Sequence, residues 1–223
     1  HFGIKTHVIT SPDQKRNFIS KDSVHVYKKI DKKFKDFIKK KVNVNETLFI
    51  SIGCRWIFSE ETINNVFNNN LVNFHGTRLP YDQGGGIISW QILRNDRIDN
   101  QLVHLIDAGI DKGPVLMSES SLIPHECKIP IDFENYHNEK QIIFYKKFVN
   151  KLKNGNSLDL KYQVNYIGRY NPRLNTDISG WINWNTSSLH LSRFINAFDE
   201  PYQGASTFIN GKKVRIKSAT LHG

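Results

Sequence analysis

Hydrophobic and polar positions along the chain switch between two periods, and the switches outline its elements. Ile4-Lys5-Thr6-His7-Val8-Ile9 alternates, is rich in β-branched residues and runs into Ser11-Pro12-Asp13, which predicts a strand entering a loop. Val24 to Tyr27 predicts a short second strand. Between Asp31 and Lys41 the apolar residues Phe34, Phe37 and Ile38 fall at helical spacing, with lysines on the other face. Thr47 to Ile52 is nearly continuous apolar sequence, the pattern of a strand covered on both faces. Ser59, Glu60 and Glu61 ahead of Ile63, Val66 and Phe67 predict a capped helix ending in Asn68-Asn69-Asn70. Further elements follow at Leu71 to Phe74 (strand), Ile87 to Arg94 (helix), Leu102 to Ile106 (strand), Val115 to Ser118 (strand) and Asn138 to Leu152 (long amphipathic helix).

Strands alternating with helices predict an α/β fold with a mostly parallel, helix-covered sheet over residues 1–155. Beyond about residue 155 the sequence turns rich in Asn, Tyr and Trp with little periodicity. Asn185 or Thr186 can cap a helix through Leu189, Phe194 and Phe198, and Ala205 to Ile209, Asn210-Gly211 and Lys213 to Ile216 form a hairpin pattern. Residues 156–223 therefore read as a small C-terminal extension of one helix and one β-hairpin.

Composition narrows the classes. Of 223 residues, 39% are hydrophobic and 23% charged, and no apolar run approaches the roughly 20 residues of a membrane span, so neither a membrane protein nor a secretory signal is expected. The net charge of +10 is attractive to any polyanion, yet Lys28, Lys29, Lys32, Lys33, Lys35, Lys39, Lys40 and Lys41 crowd one stretch and fit a solvated helix face. Such a charge also suits a phosphorylated or nucleotide-linked substrate. Cys54 and Cys127 are the only cysteines, which points to a reducing cytoplasm and no structural disulfide. No histidine or cysteine spacing typical of a zinc site occurs, and no metal is expected.

The candidate chemistry sits between Leu71 and Val115. Asn73 and His75 are two apart at a strand end, so their side chains share a face, and open α/β sheets bind ligands at the carboxyl ends of their strands. Asp111 lies in Asp107-Ala108-Gly109-Ile110-Asp111-Lys112-Gly113, a turn whose glycines let backbone approach a ligand. Each residue also has a plainer reading, a hydrogen-bonded structural histidine and a turn-forming aspartate. Gly84-Gly85-Gly86 matches neither G-x-G-x-x-G nor a Walker pattern.

Asn73-Phe74-His75-Gly76-Thr77-Arg78-Leu79-Pro80, Tyr81-Asp82-Gln83-Gly84 and Asp107 to Val115, in this order, resemble the formyltransferases that use 10-formyltetrahydrofolate. Phe198-Asp199-Glu200-Pro201-Tyr202-Gln203-Gly204-Ala205 and Asn210-Gly211-Lys212-Lys213 resemble the sugar N-formyltransferases within that family. The resemblance implies a Rossmann-like sheet and formyl transfer from 10-formyltetrahydrofolate to the amine of a dTDP-linked amino-dideoxy sugar, dTDP-4-amino-4,6-dideoxyglucose being one such acceptor, in O-antigen type lipopolysaccharide synthesis in a bacterial cytoplasm. It implies that Asn73, His75 and Asp111 are catalytic. Asn73 and a protonated His75 would donate to the oxyanion of a tetrahedral intermediate, while Asp111 would raise the His75 pKa and shuttle a proton. It places the folate against Trp56, Phe58, Ile106 and Asp107, and the sugar nucleotide against Arg55, Tyr81, Gln83, Gly84 and Tyr202. Trp56 and Phe58 read equally well as core. Trp181 and Trp184 join Tyr202 as candidates to stack on a base or to bury a dimer surface, a homodimer through the C-terminal region being expected, with no nucleic acid or membrane partner.

Family members carry a strand and helix ahead of the segment that Ile4 to Ile9 resembles, about 20 residues by the length of such elements. A methionyl-tRNA formyltransferase would share the same centre and is expected to be longer, with a C-terminal barrel. A glycinamide ribonucleotide formyltransferase lacks a segment like 198–217, a formyltetrahydrofolate hydrolase would use the same groups on water, and a basic nucleic-acid-binding domain would use the lysine stretch with Tyr and Phe stacking.

Overall fold

A computed structural model describes residues 5–14, 24–54, 56–164 and 167–222. The chain condenses into two compact units, 1–72 and 73–223. In the first, β1 (Val8–Thr10) and β2 (Val24–Val26) pair in parallel with Val8 opposite Val24. Helix α1 (Lys32–Lys41) starts where the Asp31 carboxylate accepts the Phe34 N–H at 3.1 Å; it buries Phe34 and Ile38 and leaves most of its lysines exposed. Strand β3 (Phe49–Ile52) is less covered than its apolar run predicts, because Ile52 is 55% exposed and only Ser51 is buried. Helix α2 (Glu60–Asn65) is capped by Ser59, whose Oγ accepts the Thr62 N–H, and Phe49 donates to the Asn70 carbonyl at the start of β4 (Leu71–His75). Phe34 is the hub of the packing, with Tyr27, Trp56 and Phe67 edge-on around it, and Phe58 leans on Phe67.

The second unit takes up β4 at Asn73. It continues through β5 (Asp82–Gln83), α3 (Ile87–Arg94), β6 (Ile98–Leu105), β7 (Val115–Leu122) and α4 (Pro130–Lys153). Then come β8 (Arg169–Tyr170), α5 (Thr176–Ser179), α6 (Ser188–Ala197) and the hairpin β9 (Ala205–Ile209) and β10 (Lys212–Ile216). β4 lies beside β6 and β6 beside β7. Parallel pairing occurs at β1–β2 and at β5–β8, but β6 and β7 are antiparallel. The short segment 106–114 can join only antiparallel neighbours, since a parallel return needs a long crossover.

Two elements begin earlier than their apolar pattern predicts. β6 starts at Ile98 because Asp99, Asn100 and Gln101 are buried despite being polar, and their side chains are bonded, as in Asn100 Nδ2 to the Thr77 carbonyl at 2.8 Å. α4 starts at Pro130 rather than Asn138; proline suits the first helical position, and the Asp132 carboxylate accepts the N–H groups of Lys128 and Ile129. Helix α6 is capped by Ser187, not by Asn185 or Thr186.

The C-terminal elements join the core of the second unit. Helix α6 packs on α3, where Ser89 Oγ donates to the Ala197 carbonyl at 2.9 Å, and Ile92, Phe133, Ile195, Phe198 and Ala205 form one buried cluster. Asn210 and Gly211 both have positive φ in the β9–β10 turn, as their dipeptide predicts. Among the described residues no helix is long and apolar enough to cross a membrane, and Cys54 and Cys127 are free thiols. Phe148 is fully buried against Phe74, the residue between Asn73 and His75. Replacing Phe148 with Ala should therefore lower the unfolding free energy by about 3–5 kcal/mol, read as a lower urea midpoint at unchanged slope.

Candidate active site

Strand β4 sorts its side chains by alternation: Phe74 is buried against Phe144 and Phe148 of α4, so Asn73 and His75 face the other way. Asn73 Nδ2 lies 3.2 Å from Nε2 of His104, a buried residue of β6. His104 Nδ1 is 2.7 Å from the Leu105 carbonyl, which can only accept. The proton therefore belongs on Nδ1, Nε2 accepts from the Asn73 amide, and that amide is held in one orientation. The sequence offered one signal for His104, a titratable residue inside an otherwise apolar strand end.

Asp111 reaches the same place through the loop between β6 and β7. Asp107 accepts the Gly109 N–H at 3.0 Å, which makes its carboxylate a turn former. Gly113 lies so close to β6 that a Cβ there would sit 1.9 Å from the Leu105 carbonyl oxygen, and Leu105 donates to the Pro114 carbonyl at 3.0 Å. Asp111 itself has φ of 54°, an uncommon conformation for a residue with a side chain. Gln163 Nε2 braces the turn by donating to the carbonyls of Asp111 and Gly113. The Asp111 carboxylate accepts the Gly84 N–H at 3.3 Å and stands 3.6 Å from His75 Nε2 and 3.9 Å from His104 Nε2. The amide, the two imidazoles and the carboxylate thus converge from β4, β6 and one loop.

Burial dominates the electrostatics. It pushes the His75 imidazole down to about 4; the Asp111 charge pulls the other way, and His104 and His137 reinforce the drop. His104 is lowered as well, by burial first, against its bond to Leu105 and the charge of Asp111. The expectation of a protonated His75 is corrected on this point: Asp111 acts in the expected direction, but desolvation is the larger effect, and the resting ring is neutral at pH 7. His137 was not foreseen either. It packs against Gly76, where a Cβ would be 2.4 Å from its ring, and its Nδ1 is 2.7 Å from the buried Asp99 carboxylate.

The remaining sequence candidates divide. Gln83 and Gly84 lie in the loop tied to Asp111; Tyr81 is 53% exposed and lines a cavity with Arg78, Ile167 and Arg169. The side-chain nitrogen Nε2 of Gln83 and Nε2 of His75 are both buried with no hydrogen-bond partner among the described residues, the mark of groups that await a ligand. Ile106 is half-buried and Asp107 exposed at the mouth of the loop. Trp56 and Phe58 are half-buried in the aromatic packing of the first unit, and Arg55 lies outside the described residues. Tyr202 sits in the turn after α6, its N–H donating to Asp199, with no hydrogen bond to the Asn73–His75–Asp111 cluster. Trp181 stacks on Phe208 and Trp184 donates to Thr207, so both pack on the C-terminal hairpin. Among the described residues no group of His, Cys, Asp and Glu is arranged to hold a metal ion.

Comparison with known proteins bears on the C-terminal segment and on the fold. Residues 176–223 match the family described as formyl transferase, C-terminal domain. The methionyl-tRNA formyltransferase of Thermodesulfovibrio yellowstonii is 27% identical over 198 residues, which cover 86% of this chain. The chain spans 61% of that relative's own length. A 4-N formyltransferase from Francisella tularensis superposes with a TM-score of 0.65 at 17% identity, over 96% of this chain and 98% of that one. The N-formyltransferase from Helicobacter canadensis, solved in complex with folinic acid and dTDP-3-aminofucose, gives a TM-score of 0.65 at 20% identity, over 93% of this chain and 85% of its own. Residues 176–223 therefore match the C-terminal domain of formyl transferases, and the chain as a whole has the fold of the solved formyltransferases.

Proposed function

We propose that this protein transfers a formyl group from a folate of the 10-formyltetrahydrofolate type to the amine of a nucleotide-linked amino sugar, with Asn73, His75 and Asp111 as the catalytic groups. The observation that carries the reading is the buried, unpartnered Nε2 of His75, 3.6 Å from the Asp111 carboxylate and beside an Asn73 amide whose orientation His104 fixes. Structures of the same fold bind a folate and dTDP-linked sugars, as in the Helicobacter canadensis enzyme, and this supports the choice of both substrates.

The residues present suit a formylated folate, which would supply the one-carbon unit as an electrophilic N-formyl carbonyl. Attack by an amine on that carbon puts negative charge on the formyl oxygen. The second Asn73 amide hydrogen and a neutral His75 N–H are donors of the right kind for it, held in place before the charge appears. An attacking nitrogen must lose a proton, and the departing nitrogen must gain one. Asp111 is the carboxylate placed to accept the first and, through His75, to return it. Burial that keeps His75 uncharged prevents it from being locked in an ion pair with Asp111.

The acceptor has a second reading. Relatives by sequence, such as that of Thermodesulfovibrio yellowstonii, are methionyl-tRNA formyltransferases, so methionyl-tRNA is the competing amine. Incubating the protein and 10-formyltetrahydrofolate with dTDP-linked 3-amino and 4-amino sugars, and separately with methionyl-tRNA, separates the two. Formylation of a sugar nucleotide alone is the expected result; formylation of the tRNA alone would replace the sugar reading.

Two further outcomes are expected. Substituting His75 by Asn should lower kcat/KM by about 10²- to 10⁴-fold with an unchanged circular dichroism spectrum; retention of activity within a factor of two would remove His75 from the chemistry. The His75 ring should titrate near pH 4 by NMR, against an ordinary value of 6.5. Because the folded state disfavours the proton, the stability linked to this group is fully present above about pH 6.5 and is lost as the pH falls toward 4.

A further inference from the structure

We infer that Arg78 and Arg169, steadied by the buried carboxylate of Asp82, form an anion cradle that receives the diphosphate of a nucleotide-linked substrate. Asp82 is 3% exposed, and it accepts Arg169 Nε at 2.7 Å, Arg94 at 3.3 Å and Asn171 Nδ2 at 3.2 Å, with Arg78 at 3.5 Å. Burial by itself would raise this carboxyl. The hydrogen bonds from Arg169 and Asn171 and the charges of Arg169 and Arg94 outweigh it and hold Asp82 below the usual carboxylate range. Arg78 also pairs with Asp96, so three guanidinium groups meet two carboxylates and positive charge is left over.

That surplus faces a cavity. Asp82 takes only Nε of Arg169, and the two terminal amino groups of Arg169 find no acceptor among the described residues. With Arg78, Tyr81 and Ile167, Arg169 lines a concave space of about 290 Å³. This is at the small end of ligand pockets and fits a compact anion rather than a whole sugar nucleotide. A planar guanidinium whose Nε is anchored presents its outer edge to a phosphate with little rotamer freedom left to lose, which is how arginine recognises phosphates. The strongest alternative, an RNA backbone, would call for basic groups spread along an extended surface; here they converge around one concavity with the exposed Tyr81 ring at its edge.

The cradle adjoins the candidate centre. Arg78 is three residues after His75, so their Cα atoms are within roughly 11 Å, and the loop that carries Tyr81 returns to the centre at Gly84, whose N–H bonds Asp111. Strand β8, which supplies Arg169, is paired with β5, where Asp82 lies. A nucleotide-linked sugar anchored by its diphosphate in the cradle would reach inward toward His75 and Asp111. The choice of a nucleotide-linked ligand rests on the formyl-transfer reading; the anion site rests on its own geometry.

Isothermal titration of the full chain tests it with dTDP, thymidine, inorganic pyrophosphate and 5-formyltetrahydrofolate. dTDP should bind at least tenfold more tightly than thymidine, and pyrophosphate should compete with it. Arg78→Gln and Arg169→Gln should each weaken dTDP tenfold or more while folate affinity changes less than twofold. Arg169→Lys, which keeps the charge but not the fork, should recover only part of the loss. If Arg169→Gln does not fold, Arg78→Gln and Arg169→Lys decide by the same criterion. Equal affinity for dTDP and thymidine, no measurable nucleotide binding, or a folded variant with wild-type dTDP affinity would overturn the cradle. So would a tRNA that displaces dTDP and weakens in parallel in the same variants. Wild-type protein that binds dTDP through these arginines but formylates no nucleotide-linked amine would sink the formyl-transfer reading and leave the cradle standing; formylation with an unchanged KM for the sugar nucleotide in the variants would do the reverse.

Discussion

Everything at the candidate site depends on the close approach of the loop between β6 and β7 to the end of β6. Leu105 and Pro114 bond across the base of that loop, and Gly113 sits against the Leu105 carbonyl where no other residue fits. This contact turns the chain back on itself and sets Asp111, at positive φ, opposite His75. Gln163 and the Gly84 N–H then hold the loop from two other segments. A carboxylate carried on a freely moving loop would favour a solvated position away from two largely desolvated imidazoles. Here backbone contacts, not charge attraction, place it.

The same contact fixes the balance of charge. His104 is buried and His75 half-buried with its Nε2 covered, both near one carboxylate, and in both desolvation outweighs its attraction. The result is a cluster of neutral rings with defined donors and acceptors rather than a set of ion pairs. His104 turns its proton toward Leu105 and its lone pair toward Asn73, so the Asn73 amide keeps one hydrogen free for a ligand. About Asp82 the opposite choice holds. There the arginines outweigh burial, the carboxylate stays charged, and part of the positive charge is left facing solvent. One region thus sets neutral rings and an amide around a single carboxylate, while the neighbouring loop carries surplus positive charge.

Much of the layout was legible along the chain. Period-two and helical patterns located α1, α2, α3 and β4, and Asn210-Gly211 located the hairpin, because each rests on local preference. Patterning misjudged elements whose buried face is polar. Asp99 to Gln101 do not look like strand, yet they occupy β6 because His137 and Thr77 satisfy them. The first turn of α4 was marked by Pro130 and Asp132, not by apolar periodicity.

The sequence by itself determined which residues could do chemistry and that two of them share a strand face, since alternation and motif order are written in neighbouring residues. It also determined the turns that only glycine or asparagine accommodates. Only the tertiary structure decided that Asp111 meets His75, that His104 aims Asn73, that His75 rests neutral and that Arg169 joins Arg78 around Asp82. These are contacts between residues tens of positions apart, and their protonation is set by how deeply the surrounding elements bury them, a quantity no local window of sequence contains.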